Sequence, residues 1–318
     1  MNTLAITQEE IEAIGKKLEE LWQNMKEEEN ANDENNFIDI FEQMYTEVIM
    51  SCADRFTLDI SDLKYLVRCQ KGNYLNDYER LVPKEEYCKK NRWNPDGVAF
   101  LYLGFANENI DRQDINIAKR TCFEESRTKD GDYVTVCEFA PTITSGKIIN
   151  LCYELTSYSE INEPMDTYYD SIQEQILKKL KPKCKRLKQA GLSDNAISGW
   201  LKAKTKEELD KHQFDKITTE KVGVALAKIL LKILEEYVVK PINDDDVESI
   251  KEYLPFRYFA KYLRNKGYLG IIYKSTRMNL LNENGMNVVL FNKNHASYVD
   301  NTMQIFIKEK GEYKLIKD

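Results

Sequence analysis

The spacing of apolar residues changes three times along this chain of 318 residues. Residues 11–25 and 37–53 carry apolar side chains at helical spacing, and a second helical block spans residues 166–238. Short strand-like runs occupy residues 65–67, 98–103, 133–139, 148–153, 270–273 and 287–291. Because one long helical block separates the strand runs, which do not alternate regularly with helices, the order predicts an α+β fold rather than a doubly wound α/β sheet.

The same pattern predicts the domain organisation. Residues 1–55 are expected to form an N-terminal helical extension. A larger domain spans residues 56–318 and is interrupted by a helical insertion at about residues 166–215. Within this larger domain, helices are predicted over residues 166–189, 193–203, 205–212, 219–238 and 255–265, and a closing hairpin over residues 303–316.

The charge of the chain limits its partners. Lys and Arg number 46 against 53 Asp and Glu, and the net charge is −7. General nucleic-acid binding needs an excess of Lys and Arg for phosphate contacts, so we do not expect it here. Residues 178–188 nevertheless hold seven basic residues in eleven. We interpret this run as a solvated helix face, and binding of nucleic acid or an acidic partner is the alternative.

The histidine and cysteine content excludes several chemistries. With only His212 and His295, a zinc site built from several imidazoles is excluded, and a Ser-His-Asp triad must use one of these two. The seven cysteines contain no C-x-x-C pair, so we expect reduced thiols and no metal site. No secretory signal is visible at the start, and charged residues interrupt the apolar stretch 222–239. We therefore expect a cytoplasmic protein without a membrane span.

Four polar residues stand at the edges of apolar runs: Arg68, Tyr102, Glu125 and Ser275. Each alone has an ordinary structural explanation, such as a surface arginine or a turn serine. They occur with distinctive surroundings at residues 91–97 (NRWNPDG), 101–103 (LYL), 121–125 (TCFEE), 253–275 and 287–291 (NVVLF). In this order, the set resembles the RES family, which is named for its Arg, Glu and Ser.

The chain departs from the family pattern at several positions. Asn91 stands where a glycine is usual, and asparagine tolerates a left-handed backbone better than most residues. Arg80 is an alternative to Arg68 as the first arginine of the pattern. The stretch before the glutamate is longer than expected, so residues 107–119 are predicted to form an inserted loop.

The resemblance implies a fold like that of the ADP-ribosyltransferases and a reaction that removes nicotinamide from NAD+. In this assignment Glu125 stabilises an oxocarbenium-like ribose, and Arg68 binds the pyrophosphate. Tyr102 stacks against the nicotinamide or its ribose, and Ser275 orients the substrate. Arg92 is a second phosphate or acceptor contact. No cofactor or metal is expected, because NAD+ is the substrate and water or inorganic phosphate is the acceptor.

The resemblance also implies a biological role. Members of the family deplete cellular NAD+, and many are toxins held in check by an antitoxin with a helix-turn-helix domain. Such an antitoxin and a second copy of the chain are the expected macromolecular partners. Two other functions stay open: a protein mono-ADP-ribosyltransferase on the same fold, and a non-catalytic binding protein. The sequence does not choose between water, phosphate and protein as the acceptor.

Overall fold

The computed structural model of the chain describes residues 56–88, 91–95, 97–106, 112–152, 158–211, 231–232, 234–240 and 249–317, with eight helical residues scattered between positions 9 and 42. The predicted helical extension, residues 1–55, therefore lies almost entirely outside the described residues. Most of the helix predicted over residues 219–238 lies outside them as well, and its described part, from residue 231 onwards, is helical.

The chain divides into two structural units. One unit contains Glu154–Leu230 and two N-terminal pieces, Met1–Gly15 and Met44–Cys52. The other contains Ala53–Tyr153 and Leu231–Asp318, together with residues 16–43. Within the described residues, the first unit is helical and all strands lie in the second. We call them the helical unit and the strand unit.

The described residues of the strand unit form one mixed sheet of ten strands. The strands are β1 (Thr57–Asp59), β2 (Tyr65–Lys71), β3 (Leu101–Ala106), β4 (Tyr133–Pro141), β5 (Lys147–Asn150), β6 (Gly270–Lys274), β7 (Met286–Leu290), β8 (Ala296–Tyr298), β9 (Gln304–Glu309) and β10 (Glu312–Lys317). Their order is β1-β5-β6-β7-β3-β2-β4-β9-β10, and β8 pairs with β4. Neighbouring strands are antiparallel, except that β5 and β6 are parallel.

These strands confirm the predictions made from apolar runs. Each of the six strand-like runs overlaps one of β2 to β7, and the predicted closing hairpin is the antiparallel pair of β9 and β10. The large mixed sheet with its helices agrees with the predicted α+β class. The finer assignment, a fold like that of the ADP-ribosyltransferases, stays a prediction.

The two faces of the central strands are covered differently. One face, which we call the apolar face, carries a large buried cluster that includes Leu103, Ile272 and Val288. The other, the helix face, packs against helix α1 (Arg112–Glu125). Gly104 on β3 allows the close approach of α1, because a Cβ atom there would lie 2.4 Å from the backbone oxygen of Ala118.

Helix α1 overturns one prediction. Residues 107–119 were expected to form an inserted loop, but the helix begins at Arg112. The loop prediction was wrong because the buried side of this helix is built largely from small side chains. Its buried residues are Ala118, Thr121, Cys122 and Phe123, so the apolar spacing in the sequence is weak.

Two further helices of the strand unit lie on either side of β6 in the chain. Helix α4 (Ser249–Asn265) begins six residues before the predicted start and contains Pro255. It ends at the predicted place, and Gly267 follows with a φ of 87°, a left-handed conformation that favours glycine. The short helix α5 (Thr276–Leu280) begins directly after β6. The turn between β6 and α5 therefore fixes the position of Ser275.

The helical unit contains two described helices, α2 (Tyr158–Gln189) and α3 (Asp194–Lys211). Two helices were expected where α3 is continuous, because Thr205-x-x-Glu208 resembles a helix start. That prediction was wrong: Thr205 is buried inside one helix, and no Gly or Pro interrupts residues 200–211. Apolar side chains of α2 and α3 pack together: Ile172, Ile176, Leu180, Trp200 and Leu201.

Candidate active site

Three polar side chains meet on the helix face of the sheet. The Ser275 hydroxyl donates a hydrogen bond to Oε1 of Glu125 over 2.6 Å. The Asn287 amide Nδ2 donates to the same oxygen over 3.0 Å. Ser275 and Asn287 are buried, at 1% and 5% exposure, whereas Glu125 at the end of α1 is exposed. Glu125 is thus an exposed residue whose carboxylate accepts hydrogen bonds from two buried donors.

The turn after β6 orients the Ser275 hydroxyl. Ser275 is the N-cap of α5, and its Oγ accepts a hydrogen bond from the backbone N–H of Met278 over 3.2 Å. Its own N–H donates to the Gly285 carbonyl over 2.8 Å. Because the cap uses an acceptor position of Oγ, the hydroxyl proton is directed to Glu125. The structure thus brings together two of the predicted site residues, Ser275 and Glu125.

Asn287 is a site residue that the sequence analysis missed. It lies on β7 opposite Gly104 of β3 and Tyr273 of β6. Side chains of paired residues in antiparallel strands lie on the same face of the sheet. Asn287 therefore lies on the helix face, where α1 comes close to the sheet at Gly104. The sequence signal was weak: the run NVVLF begins with a polar residue, but the sequence does not show which residue of β3 it faces.

Neighbouring residues on α1, Glu124 and Glu125, have different partners. Both oxygens of Glu124 lie 3.1 Å from Nζ of Lys308 on β9, and Oε1 also accepts from the Tyr313 hydroxyl over 3.1 Å. The Lys308–Glu124 ion pair is largely buried, with side-chain exposures of 14% and 15%. Glu124 therefore ties α1 to the sheet, and Glu125 is the carboxylate that a ligand can reach.

Tyr102 anchors the turn that contains the NRWNP sequence. Its hydroxyl donates to Oδ1 of Asn94 over 2.7 Å and accepts from the N–H of Trp93 over 3.2 Å. Trp93 is fully buried, with its ring 5.3 Å from those of Phe256 and Tyr273. The turn is thus held between β3, β6 and α4.

Arg92 comes from this turn to the N-terminus of α5. Its Nη1 donates to Oγ1 of Thr276 over 3.0 Å and to the carbonyl of Val238. Burial lowers the pKa of Arg92, and the negative charge of Glu125 opposes that shift. Arg92 therefore contacts the residue that follows Ser275, and its charge interacts with the carboxylate of Glu125.

Arg68 has a different environment. Its Nε donates to the carbonyl of Leu81, and its Nη1 donates to the carbonyl of Tyr102 over 2.8 Å. By strand alternation Arg68 leaves β2 on the side of Leu66, a residue of the apolar face. The alternative arginine, Arg80, is exposed and lies 3.6 Å from the Asp77 carboxylate. Binding of pyrophosphate by Arg68 stays a prediction.

The charged groups of the site shift the pKa of Tyr273. This residue lies on β6, two positions before Ser275, and its ring contacts the buried Trp93. Burial raises the pKa of Tyr273 well above its ordinary value, and Glu125 and Tyr102 raise it further. The positive charge of Arg92 lowers it. Tyr273 therefore stays neutral, as does Tyr102, whose pKa burial also raises.

Residues 206–315 match the family model of the RES domain. The resemblance to the RES family is confirmed over this segment. The RES match contains Ser275 and Asn287 and begins after Glu125, which the fold brings to them. The RES family is associated with NAD+-related enzymatic toxins. No curated protein and no solved structure matches the chain.

Among the described residues, no group of three or more His, Cys, Asp and Glu side chains is arranged to hold a metal ion. None of the helices in that part of the chain has the length and apolar content needed to cross a bilayer.

Proposed function

We propose that the chain cleaves the bond between nicotinamide and ribose in NAD+. The observation that carries this proposal is the exposed Glu125, whose carboxylate is held by Ser275 and Asn287 of the segment 206–315 that matches the RES domain. Both hydrogen bonds go to Oε1, so we assign Oε2 to the ribose of the substrate.

The proposed reaction needs a fixed negative charge beside the sugar. The glycosidic C–N bond breaks, its electron pair leaves with neutral nicotinamide, and positive charge develops on the ribose. Glu125 stabilises that charge or holds the 2-hydroxyl of the ribose as the charge grows. Water or inorganic phosphate then forms the new bond to C1 of the ribose, and a proton is lost when water attacks. Ser275 and Asn287 orient the carboxylate and do not themselves gain or lose protons.

The remaining predicted residues would bind the rest of NAD+. Arg92 is the arginine that the fold brings beside Ser275, through its bond to Thr276, and we assign it to a phosphate. We assign Tyr102 to a stacking contact with the nicotinamide or its ribose. The pyrophosphate role of Arg68 belongs to the same proposal and rests on the family resemblance alone.

The cellular part of the proposal follows the family association. We infer a toxin that depletes NAD+ in the cytoplasm and is inhibited by an antitoxin with a helix-turn-helix domain. A protein mono-ADP-ribosyltransferase is the second candidate, and the exposure of Glu125 favours it, because a side chain of another protein can then reach the sugar.

The test is product analysis with purified protein and NAD+. Nicotinamide release is followed with and without inorganic phosphate, and Glu125→Gln protein prepared in the same way controls for contaminating hydrolases. We expect release without any added protein acceptor, with ADP-ribose as product in water or its 1-phosphate when phosphate is the acceptor. Transfer of ADP-ribose only onto a protein would establish the second candidate, the protein mono-ADP-ribosyltransferase. Absence of nicotinamide release and of transfer from folded protein would refute both.

A further inference from the structure

The C-terminal part of α2 carries a dense group of exposed cations. We call it the basic face, and its members are Lys178, Lys179, Lys181, Lys183, Lys185, Arg186 and Lys188. Every one of these side chains is exposed. We propose that the basic face binds the phosphate backbone of double-stranded nucleic acid without reading its sequence. This inference concerns the helical unit and does not depend on the proposed enzymatic function.

Part of the basic face points away from the apolar side of α2, whereas Lys183 lies on the same side of the helix as Leu180. Ile176 and Leu180 are buried against α3, and they recur four residues apart. At about 100° per residue, Lys181, Lys185 and Lys188 lie on the opposite side of the helix. From Lys178 to Lys188 these cations extend over about 15 Å, at about 1.5 Å per residue. The result is a linear array of charge that faces solvent.

Two of these cations form ion pairs with described carboxylates. Lys178 pairs with Glu174 over 2.9 Å, and Lys188 pairs with Asp194 over 2.9 Å. Both pairs are exposed, so both are weak. Residues 175–193 contain no Asp or Glu. In the described part of the chain, no carboxylate pairs with the five cations between Lys178 and Lys188.

Helix stability does not explain this arrangement. Cations in the last turn of a helix interact favourably with its dipole, but that turn accounts only for Arg186 and Lys188. Like charges four residues apart destabilise a helix, and Lys181 and Lys185 form such a pair. The rest of the chain is more acidic than the whole, since residues 178–188 carry seven positive charges and none of the 53 acidic residues. Such a local reversal of charge is typical of a polyanion-binding segment.

The residue types favour a nucleic-acid duplex over other anionic partners. Six of the seven cations are lysine, which is depleted in the cores of protein–protein interfaces, where aromatic residues are enriched. Residues 175–193 contain no aromatic side chain. Single-stranded nucleic acid is bound largely by stacking its bases on aromatic rings, so it is not the expected ligand. Lysines without aromatic rings fit phosphate contacts on a duplex.

The test is fluorescence anisotropy of the full chain with labelled duplexes. Two unrelated DNA duplexes of about 20 base pairs, and one RNA duplex, are titrated between about 50 and 200 mM NaCl. We expect binding that differs little between the sequences and weakens steeply with salt. The triple variant Lys181→Gln, Lys185→Gln and Lys188→Gln should weaken binding at least about tenfold. Its salt dependence should fall by roughly 0.9 in log–log slope for each phosphate that the variant no longer neutralises.

A matched variant controls for net charge. Lys64→Gln, Lys84→Gln and Lys129→Gln remove the same charge from exposed positions of the strand unit and should leave the affinity within about twofold. Circular dichroism of both variants checks that helix content is retained. Equally weakened binding in the two variants, or no binding at low salt, would overturn the proposal. Tighter binding of single strands, polyglutamate or anionic vesicles than of duplexes would overturn it as well.

Discussion

The two faces of the central strands differ although neighbouring residues build them. On β7, Val288 turns to the apolar face and joins a fully buried cluster, while Asn287 turns to the helix face and donates to Glu125. On β6 the same alternation separates Ile272 from Tyr273. A shift of one residue in strand register would exchange the two environments. Register, and not only residue type, therefore decides which polar residues can form the site.

The largest effect is expected from Glu125→Gln on the helix face. Under the proposed function, nicotinamide release should fall on the order of 10²–10³-fold, because the neutral amide no longer stabilises positive charge on the ribose. The measurement is steady-state release from NAD+, with circular dichroism to confirm folding.

Its matched control is the neighbouring Glu124→Gln. This change removes the ion pair with Lys308 and should lower Tm while leaving turnover close to wild type. Loss of activity in the Glu124 variant and retention in the Glu125 variant would move the catalytic carboxylate to Glu124.

The close approach of α1 to the sheet is tested by Gly104→Ala. The new Cβ atom would overlap the backbone oxygen of Ala118, so the helix must shift, and we expect a loss of about 1–3 kcal/mol in the free energy of unfolding. Turnover should fall too, since Glu125 moves with the helix. Gly199→Ala in α3 is the control: outside the backbone of α3 itself, no described atom lies within 4 Å of the added Cβ, and the helix should be stabilised by about 0.5–1 kcal/mol. A Gly104 variant as stable as wild type would show that α1 does not depend on this contact.

Adjacent substitutions on β7 test the contrast between the faces directly. Asn287→Ala removes a donor to the carboxylate and should lower kcat about tenfold, equivalent to about 1.4 kcal/mol, with a small change in Tm. Val288→Ala creates a cavity on the apolar face and should cost roughly 1–3 kcal/mol of stability while kcat changes less than about twofold. Thermal unfolding and kinetics of both variants check this; if Val288→Ala lowered kcat more, the assignment of the faces to function would be wrong.

Effects no larger than these are expected from the two arginines. Arg92→Lys should raise KM for NAD+ about tenfold, since lysine cannot keep the fork of hydrogen bonds beside Thr276. Arg68→Lys should lower Tm, because its guanidinium holds the carbonyls of Leu81 and Tyr102, and it should also raise KM if Arg68 binds the pyrophosphate. A lower Tm with unchanged KM would remove Arg68 from the proposed binding site.

Sequence patterns predicted much of the fold, because a strand can be recognised from the apolar residues of its own short segment. The runs at β2 to β7 and the β9–β10 hairpin contain alternating or short continuous apolar residues, and both patterns are typical of strands. Helix α1 escaped prediction because small residues such as Ala118 and Cys122 line its buried side. Thr205 was misread as a helix start, because a capping-box pattern does not reveal that the residue lies buried inside α3.

The candidate site was predictable only in part. Glu125 and Ser275 could be named from their family-like surroundings, and the fold joins them by a hydrogen bond. Asn287 could not be assigned to the site, because its role depends on which residue of β3 it faces. For the same reason, the sequence could not show that Arg68 bonds to backbone carbonyls or that Glu124 pairs with Lys308.

The sequence by itself determined the class of fold, the family resemblance, and the concentration of positive charge at residues 178–188, because these depend on residue types and local spacing. Only the tertiary structure decided which side chains meet. Contacts such as Ser275 with Glu125 join residues 150 positions apart, and strand register and helix packing determine them. Local patterns carry no information about those distances, so the site became visible only in the folded chain.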